Sequence, residues 1–334
     1  MNTNTSPCIA VLGDINIDVL LPIETYPEPG GEAVSSQILT SLGGSATNTA
    51  VVLARLGCQV RLIGRVGKDV WGELALEALA ETGVDITAIQ RDEQVSTGMM
   101  FMPVTSDGER TMFGHRGANA QTEPALIAEK TFNGCGWLHL SGYALLESPQ
   151  REAARRAVEL ANRLSLPISL DTAFLPALTM PQEMKPLLNR LALCILGRQE
   201  AEALTGSGKP ERAAQLLIES GVRVVGLKLG AHGCLVADRQ ITWEIPPFPA
   251  QAVDASGAGD AFSAGLIYGR LNWLSLPASG VIANGLGSLA VQTLGAGIAL
   301  PGREDVRKLL KESLVSADAP WSEWIVEALG GIGS

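Results

Sequence analysis

The chain predicts a doubly wound α/β domain, a mainly parallel sheet flanked by helices, with a small second sheet projecting from it. Three observations carry this. Short apolar runs alternate with segments of helical spacing along most of the 334 residues, the βαβ rhythm of a parallel sheet. Two stretches, 19–42 and 94–116, interrupt that rhythm with alternating side chains. The composition is 46% hydrophobic but only 4% aromatic, so a large core must be filled by Ala, Leu, Val and Ile.

Cys8–Leu12 is an apolar run ending at Gly13, the pattern of a buried strand. Ala46–Leu56 has helix-spaced apolar residues and stops at Gly57, a C-cap residue. Val60–Val66 repeats the strand pattern, and Val70–Ala80 the helical one, closed by Gly83. After position 120 the strands are Trp137–Leu140, Pro167–Leu170, Leu191–Leu196 and Val222–Leu229. The helices between them are Ser148–Leu164, Gln182–Leu188, Glu200–Leu204 and Glu211–Glu219. From Ala258 onward the chain reads as mostly helical.

Val19–Leu42 holds three prolines, Gly30-Gly31 and an alternating patch from Ala33 to Thr40. Gln94–Arg116 alternates around a turn at Ser106-Asp107-Gly108. Both suggest antiparallel strands or hairpins that form a lid; the plainer alternative is a pair of decorated loops. Leu271–Gly302 lacks charge and has the length of a membrane span. Its Asn272, Pro277, Asn284, Gln292 and six glycines fit a buried helix followed by a loop better.

The net charge of −10, with no Lys/Arg block, argues against a nucleic-acid partner. A small anion can still be bound by backbone amides. Five dispersed cysteines without a CxxC pair read as reduced thiols of a cytoplasmic protein. Met1–Pro7 lacks the basic-then-apolar order of a signal peptide. His115, His139 and His232 have no metal-ligand spacing, and His139 lies inside an apolar strand.

The chemistry concentrates in Val253–Phe262. Gly257-Ala258-Gly259 lies between Asp254 and Asp260 and opens an apolar helical run. Such a loop aims backbone N–H groups and a helix dipole at one anion. Asp260 would stand beside that anion as a general base, the pairing needed for phosphoryl transfer to an alcohol. Other polar clusters fall at strand ends, where open α/β sheets bind ligands. Asp14, Asn16, Asp18 and Asn48 suit polyol hydroxyls, while the glycine turns of the C-terminal half suit phosphates. Arg116 could meet a carboxylate or ring hydroxyl of a substrate, or stand on the surface.

Over nearly its whole length the chain resembles the ribokinase (PfkB) family of carbohydrate kinases. Val253–Phe262 resembles the C-terminal signature Asp-Thr-x-Gly-Ala-Gly-Asp-x-Phe. Gly43-Gly44-Ser45-Ala46-Thr47-Asn48-Thr49-Ala50, followed by Ala54-Arg55-Leu56-Gly57, resembles the N-terminal one. Pro29-Gly30-Gly31-Glu32 and the stretch from Gly64 to Gly72 fit as well.

The resemblance implies a ribokinase-like fold and an ATP-dependent kinase using Mg2+, with K+ in many members. It implies Asp260 as catalytic base and Gly257, Ala258 and Gly259 as the anion hole. Asn16, Asp18, Gly43, Gly44 and Asn48 would bind the sugar. Gly230 and Gly233 would lie by the nucleotide phosphates, Asn284 by the adenine, Glu200 on the magnesium side, and Asp254 at a monovalent cation.

Departures are specific. The family's Asn-x-x-Glu appears as Gly197-Arg198-Gln199-Glu200, and Ala255 replaces the signature threonine. Lys228 replaces the threonine that opens the phosphate turn; it would touch a phosphate or form a solvated strand end. Ser45 stands where ribokinases carry lysine, and Ser141-Gly142-Tyr143 where they carry a sugar-contacting glutamate, so ribose is not the first expectation. The reading is a kinase for a hydroxymethyl group of a small sugar or sugar derivative. A nucleoside kinase of the same fold and a non-catalytic sugar- or nucleotide-binding protein are the rivals. A homodimer would pair through the lid edges, and no membrane partner is expected.

Overall fold

The structure is a computed structural model that describes residues 8–106, 111–315, 317, 318 and 320–333. The Met1–Pro7 reading, and Asp107-Gly108 of the expected turn, lie outside the described residues.

In chain order the strands are β1 (Cys8–Leu12), β2 (Asn16–Pro22), β3 (Leu39–Gly43), β4 (Val60–Gly67), β5 (Ile89–Asp92), β6 (Gly98–Val104) and β7 (Phe113–His115). There follow β8 (Cys135–Ser141), β9 (Ile168–Asp171), β10 (Leu193–Gly197), β11 (Val225–Lys228), β12 (Cys234–Ala237) and β13 (Thr242–Ile245). The α-helices are α1 (Ser45–Arg55), α2 (Val70–Glu81), α3 (Gln150–Arg163), α4 (Phe174–Thr179), α5 (Pro181–Met184) and α6 (Arg198–Thr205). The remainder are α7 (Pro210–Glu219), α8 (Ala258–Leu271), α9 (Leu276–Ala290), α10 (Arg303–Leu314) and α11 (Trp321–Ile332).

Among the described residues, nine strands form the main sheet in the order β13-β12-β11-β10-β9-β8-β1-β4-β5. All neighbours are parallel except the β11/β12 and β12/β13 pairs. Ile9 and Val11 of β1 enter the core with α1, α8 and α9, whereas Ala10 and Leu12 enter the opposite core with α3, α6 and α7. Burial on both faces is why β1 reads as an unbroken apolar run. His139 is buried in β8, with Nδ1 2.9 Å from Ser169 Oγ.

A second sheet has the order β3-β2-β6-β7. The β2/β3 and β6/β7 pairs are antiparallel, but β2 and β6 run parallel and join the two hairpins. The expected alternation over 33–40 is a strand only from Leu39. Residues 24–40 are almost all exposed, so alternate side chains there have no layer to face. Conversely β2 starts at Asn16, inside what reads as a polar strand-end cluster.

Three short strands, β5, β12 and β13, carry no sequence signal of their own. The expected helix 182–188 divides into α5 and a 3-10 turn, Lys185–Arg190, that contains Pro186, which has no N–H for the helical ladder. In the uncharged stretch α9 runs Leu276–Ala290 and a loop follows. Among the described residues no helix is long and apolar enough to cross a membrane.

Candidate active site

From β1 the chain crosses to β4 on one side, while β8 lies on the other side of β1. This reversal creates a crevice at the carboxyl ends of the strands. The residues singled out from sequence gather around it.

The loop before α8 turns at Gly257, whose φ of 72° is the left-handed conformation that favours glycine. A Cβ there would also come within 2.9 Å of Leu300 Cδ2. The turn leaves the first N–H groups of α8 without helical partners. Asp254 braces the loop: its Oδ1 accepts from the Ser256 N–H at 2.8 Å and its Oδ2 from the Gly295 N–H at 2.9 Å.

Asp260 lies in the first turn of α8 and faces the first turn of α1. Its Oδ1 accepts from Ser45 Oγ at 2.7 Å, and its Oδ2 from Asn48 Nδ2 at 2.8 Å. Asn48 Oδ1 in turn accepts from the Gly297 N–H at 3.0 Å, which locks the amide. Burial, and then the charge of Asp171, push the Asp260 carboxyl up to about 6, even though Ser45 and Asn48 favour the ionised form. A carboxylate poised there can accept a proton near neutral pH.

Beside it, Asp18 on β2 lies over Gly43 on β3, where a Cβ would fall 2.2 Å from the carboxyl carbon. Glycine at 43 is therefore the space that Asp18 occupies. Among the described residues no donor meets this carboxylate. Burial first, then Asp260 and Asp254, raise Asp18 to about 7. Asn16 faces Gly43 across the same pair. Its Oδ1 accepts from Asn119 Nδ2 at 2.8 Å, so its own amide N–H groups are free to serve as donors. Gly44, at φ 96°, opens α1, and a Cβ there would come within 2.4 Å of the Asp14 carbonyl.

Arg116 is neither isolated nor on open surface. Its Nη2 reaches Asp14 Oδ1 at 2.9 Å and Oδ2 at 3.1 Å, the Tyr143 carbonyl at 3.1 Å, and Gln150 Oε1. Nη1 lies 3.4 Å from Glu147 Oε1. Gln150 Nε2 donates to Asp14 Oδ1 at 2.8 Å and closes the cluster.

On the other side of Asp260, a cavity of about 470 Å³ is lined by Lys228, Gly230, Gly233 and Asn284, with Phe248 and Gly259 among its walls. Gly230 and Gly233 have φ of 61° and 83°, and a Cβ on Gly233 would fall 2.1 Å from the Ile245 carbonyl. Asn284 Nδ2 donates to the carbonyls of Ile245 at 3.1 Å and Pro246 at 2.9 Å. Phe248 is backed by Trp321 of α11, ring centres 5.2 Å apart.

Lys228 is not a solvated strand end: its Nζ is 2.9 Å from Asp171 Oδ2. Burial, the largest single influence, disfavours its charge, but the Asp171 and Glu200 charges and the Asp171 hydrogen bond outweigh burial and raise its pKa. Glu200 is buried in the first turn of α6. Its Oε2 accepts from Thr172 Oγ1 at 2.7 Å and the Gly197 N–H at 2.8 Å, while Oε1 meets no donor among the described residues. Among the described residues no three His, Cys, Asp or Glu side chains gather as a preformed metal cluster.

Sequence reasoning missed Asn119 and Ser263. Asn119 is fully buried and bonds Ile15 and Asn16, over a hundred positions away, through contacts only the folded register reveals. Ser263 lies three residues after Asp260 on one helix, a spacing that puts the two on one face, and that signal was present.

Known proteins resemble this chain in sequence and in fold. The pattern described as pfkB family carbohydrate kinase matches residues 7–303. A ribokinase of Haemophilus influenzae is 27% identical over 91% of this chain and 99% of its own length. A fructokinase of Klebsiella pneumoniae is 31% identical over 90% and 99%. The structure of Arabidopsis thaliana ribokinase complexed with ribose and ATP superposes with a TM-score of 0.81, at 26% identity, over 92% of this chain and 99% of that one. The fold is ribokinase-like.

Proposed function

We propose that this chain, which belongs to the pfkB family of carbohydrate kinases and is a phosphotransferase acting on an alcohol group, moves the γ-phosphate of ATP to a hydroxymethyl group of a small sugar or sugar derivative. One observation supports this most. Asp260, held by Ser45 and Asn48, stands between hydroxyl-binding side chains and the N-terminus of α8.

The acceptor is bound by Asn16, Asp18, Asn48 and the backbone at Gly43 and Gly44. Asp260 takes the proton from its hydroxyl as the oxygen attacks the γ-phosphorus. The bond from that phosphorus to the bridging oxygen of ADP breaks in line, and the amides of Gly257, Ala258 and Gly259 hold the charge that gathers on the transferred group. Gly230, Gly233 and Lys228 bind the nucleotide phosphates, and the cavity beside Asn284 takes the base. The unpaired Oε1 of Glu200 would hold Mg2+ on the phosphate side of the site, and the ion would supply positive charge against the nucleotide phosphates. Asp254 spends both oxygens on N–H groups, and no step is assigned to potassium.

The small sheet, β3-β2-β6-β7, acts as a lid that excludes water from the reacting groups. Phe101 and Phe113 on that sheet are 39% and 57% exposed, a surface suited to a second copy of the chain. An ATP-consumption assay over neutral sugars, sugar derivatives and nucleosides tests the reading. Turnover on a free sugar supports it. Turnover on nucleosides alone moves the assignment to a nucleoside kinase, and ATP binding without any turnover moves it to a binding protein.

A further inference from the structure

A buried ionic cluster lies beneath the mouth of α8. Lys228, the last residue of β11, has Gly197 as its neighbour on β10. Gly197 has no side chain, and Lys228 reaches across β10 to Asp171 at the end of β9. Its Nζ lies 2.9 Å from Asp171 Oδ2 and 3.2 Å from Oδ1. Asp171 Oδ2 also accepts from Ser263 Oγ at 2.6 Å, and Oδ1 from the Ala173 N–H at 3.1 Å. Asp171 is thus gripped from three elements: β11, α8 and its own loop.

An ammonium has three N–H donors. Asp171 engages two oxygens' worth of them, which leaves one for a ligand. The first turn of α8 lies against the ammonium: a Cβ on Gly259 would stand 3.4 Å from Nζ. Lys228 and Gly259 line the same cavity. The ammonium and the positive end of α8 therefore face one spot, beside the carboxylate of Asp260. A flexible lysine stem is costly to order; here the Asp171 pair fixes it in one direction.

We propose that Lys228 is a catalytic residue that grips the phosphate being transferred, and that Asp171 and Ser263 are positioning residues that aim it. The inference rests on the kinase reading. Lys228 keeps its proton throughout and supplies one N–H and a fixed positive charge to an oxygen of the transferred group.

The test uses the full chain. Lys228→Met is expected to lower kcat by about 100-fold or more, with the acceptor KM little changed. By isothermal titration without acceptor, the variant should lose more affinity for ATP than for ADP, which lacks the γ-phosphate. Lys228→Arg should recover part of both. Asp171→Asn should lower kcat about tenfold and shift the ATP-to-ADP affinity ratio in the same direction as Lys228→Met does, which a merely structural role would not; the acid limb of kcat/KM should also move to lower pH, since a negative charge near Asp260 is removed. Lys228→Met alone strands a buried carboxylate, so the double variant Lys228→Met/Asp171→Asn tests the same role in a fold without that charge, and it should melt near the wild type and remain slow. A double variant with kcat within about threefold of wild type, or equal loss of ATP and ADP affinity in Lys228→Met, overturns the proposal. If the wild type phosphorylates no acceptor, the kinase reading has failed instead, and the ATP-to-ADP affinity ratio still decides whether Lys228 holds the terminal phosphate.

Discussion

The two half-sites proposed to meet at Asp260, one for the acceptor and one for the nucleotide, are made of different material. The acceptor half is built from side chains: Asp14, Asn16, Asp18, Asn48, Arg116 and Asn119, most of them tied by hydrogen bonds between distant parts of the chain. The nucleotide half is built from backbone turns at Gly230, Gly233 and Gly257, an apolar wall and one paired lysine. A phosphate chain presents the same oxygens whatever it is attached to, so main-chain N–H groups are enough to bind it. A sugar must be told from its epimers by the placing of hydroxyls, and only side chains can be varied to do that. Substitutions in the first half should therefore change which acceptor is used, and substitutions in the second should change how well ATP is used.

Asp260→Asn removes the group the halves share. Turnover should fall about 1000-fold, while the affinities for ATP and acceptor, and the melting temperature, stay close to wild type. Gly43→Ala attacks the acceptor half alone. Its Cβ would fall 2.2 Å from the Asp18 carboxyl carbon, and the displaced carboxylate should raise the acceptor KM about 100-fold with the ATP KM unmoved. Equal changes in both constants would erase the distinction between the halves.

Asp18→Asn sharpens it through stability. Asp18 has a folded pKa of about 7 against an ordinary 3.8, so the native state holds its proton more tightly than the unfolded chain does. The cost of burying the charge is absent below about pH 4 and fully present above about pH 7. The asparagine variant should melt higher than wild type at pH 8, show no such gain at pH 4, and bind acceptor more weakly at both. The smallest effect belongs to the far wall of the nucleotide half. Trp321→Ala removes the ring behind Phe248 and should raise the ATP KM by about 2- to 10-fold, the worth of one aromatic pair, without altering the acceptor KM.

Legibility in the sequence follows the same division. The main sheet could be read because its strands are buried on both faces and appear as unbroken apolar runs, as in Cys8–Leu12. The short strands β5, β12 and β13 could not, because four residues at a sheet margin carry too little pattern. The small sheet was legible as an interruption but not in its register: β2 hides in the polar stretch after Gly13, and the alternation of 33–40 has nothing to pack on. In the site, the glycine turns and Asp260 were legible because a helix start and a left-handed turn are local events. The Arg116–Asp14 and Asn119–Asn16 bonds join residues 102 and 103 positions apart and needed the β2–β6 pairing to bring them together. Lys228 looked like a strand end facing water because its partner, Asp171, lies two strands away.

The proton acceptor is the centre of this account, and the pH dependence of kcat/KM in wild type beside Asp260→Asn tests it most directly. The wild type should lose activity as pH falls through about 6, the value to which burial and Asp171 bring Asp260, because protonation removes the base. The residual activity of Asp260→Asn should lack that acid limb. Persistence of the same limb in the variant would place the base elsewhere and contradict the assignment.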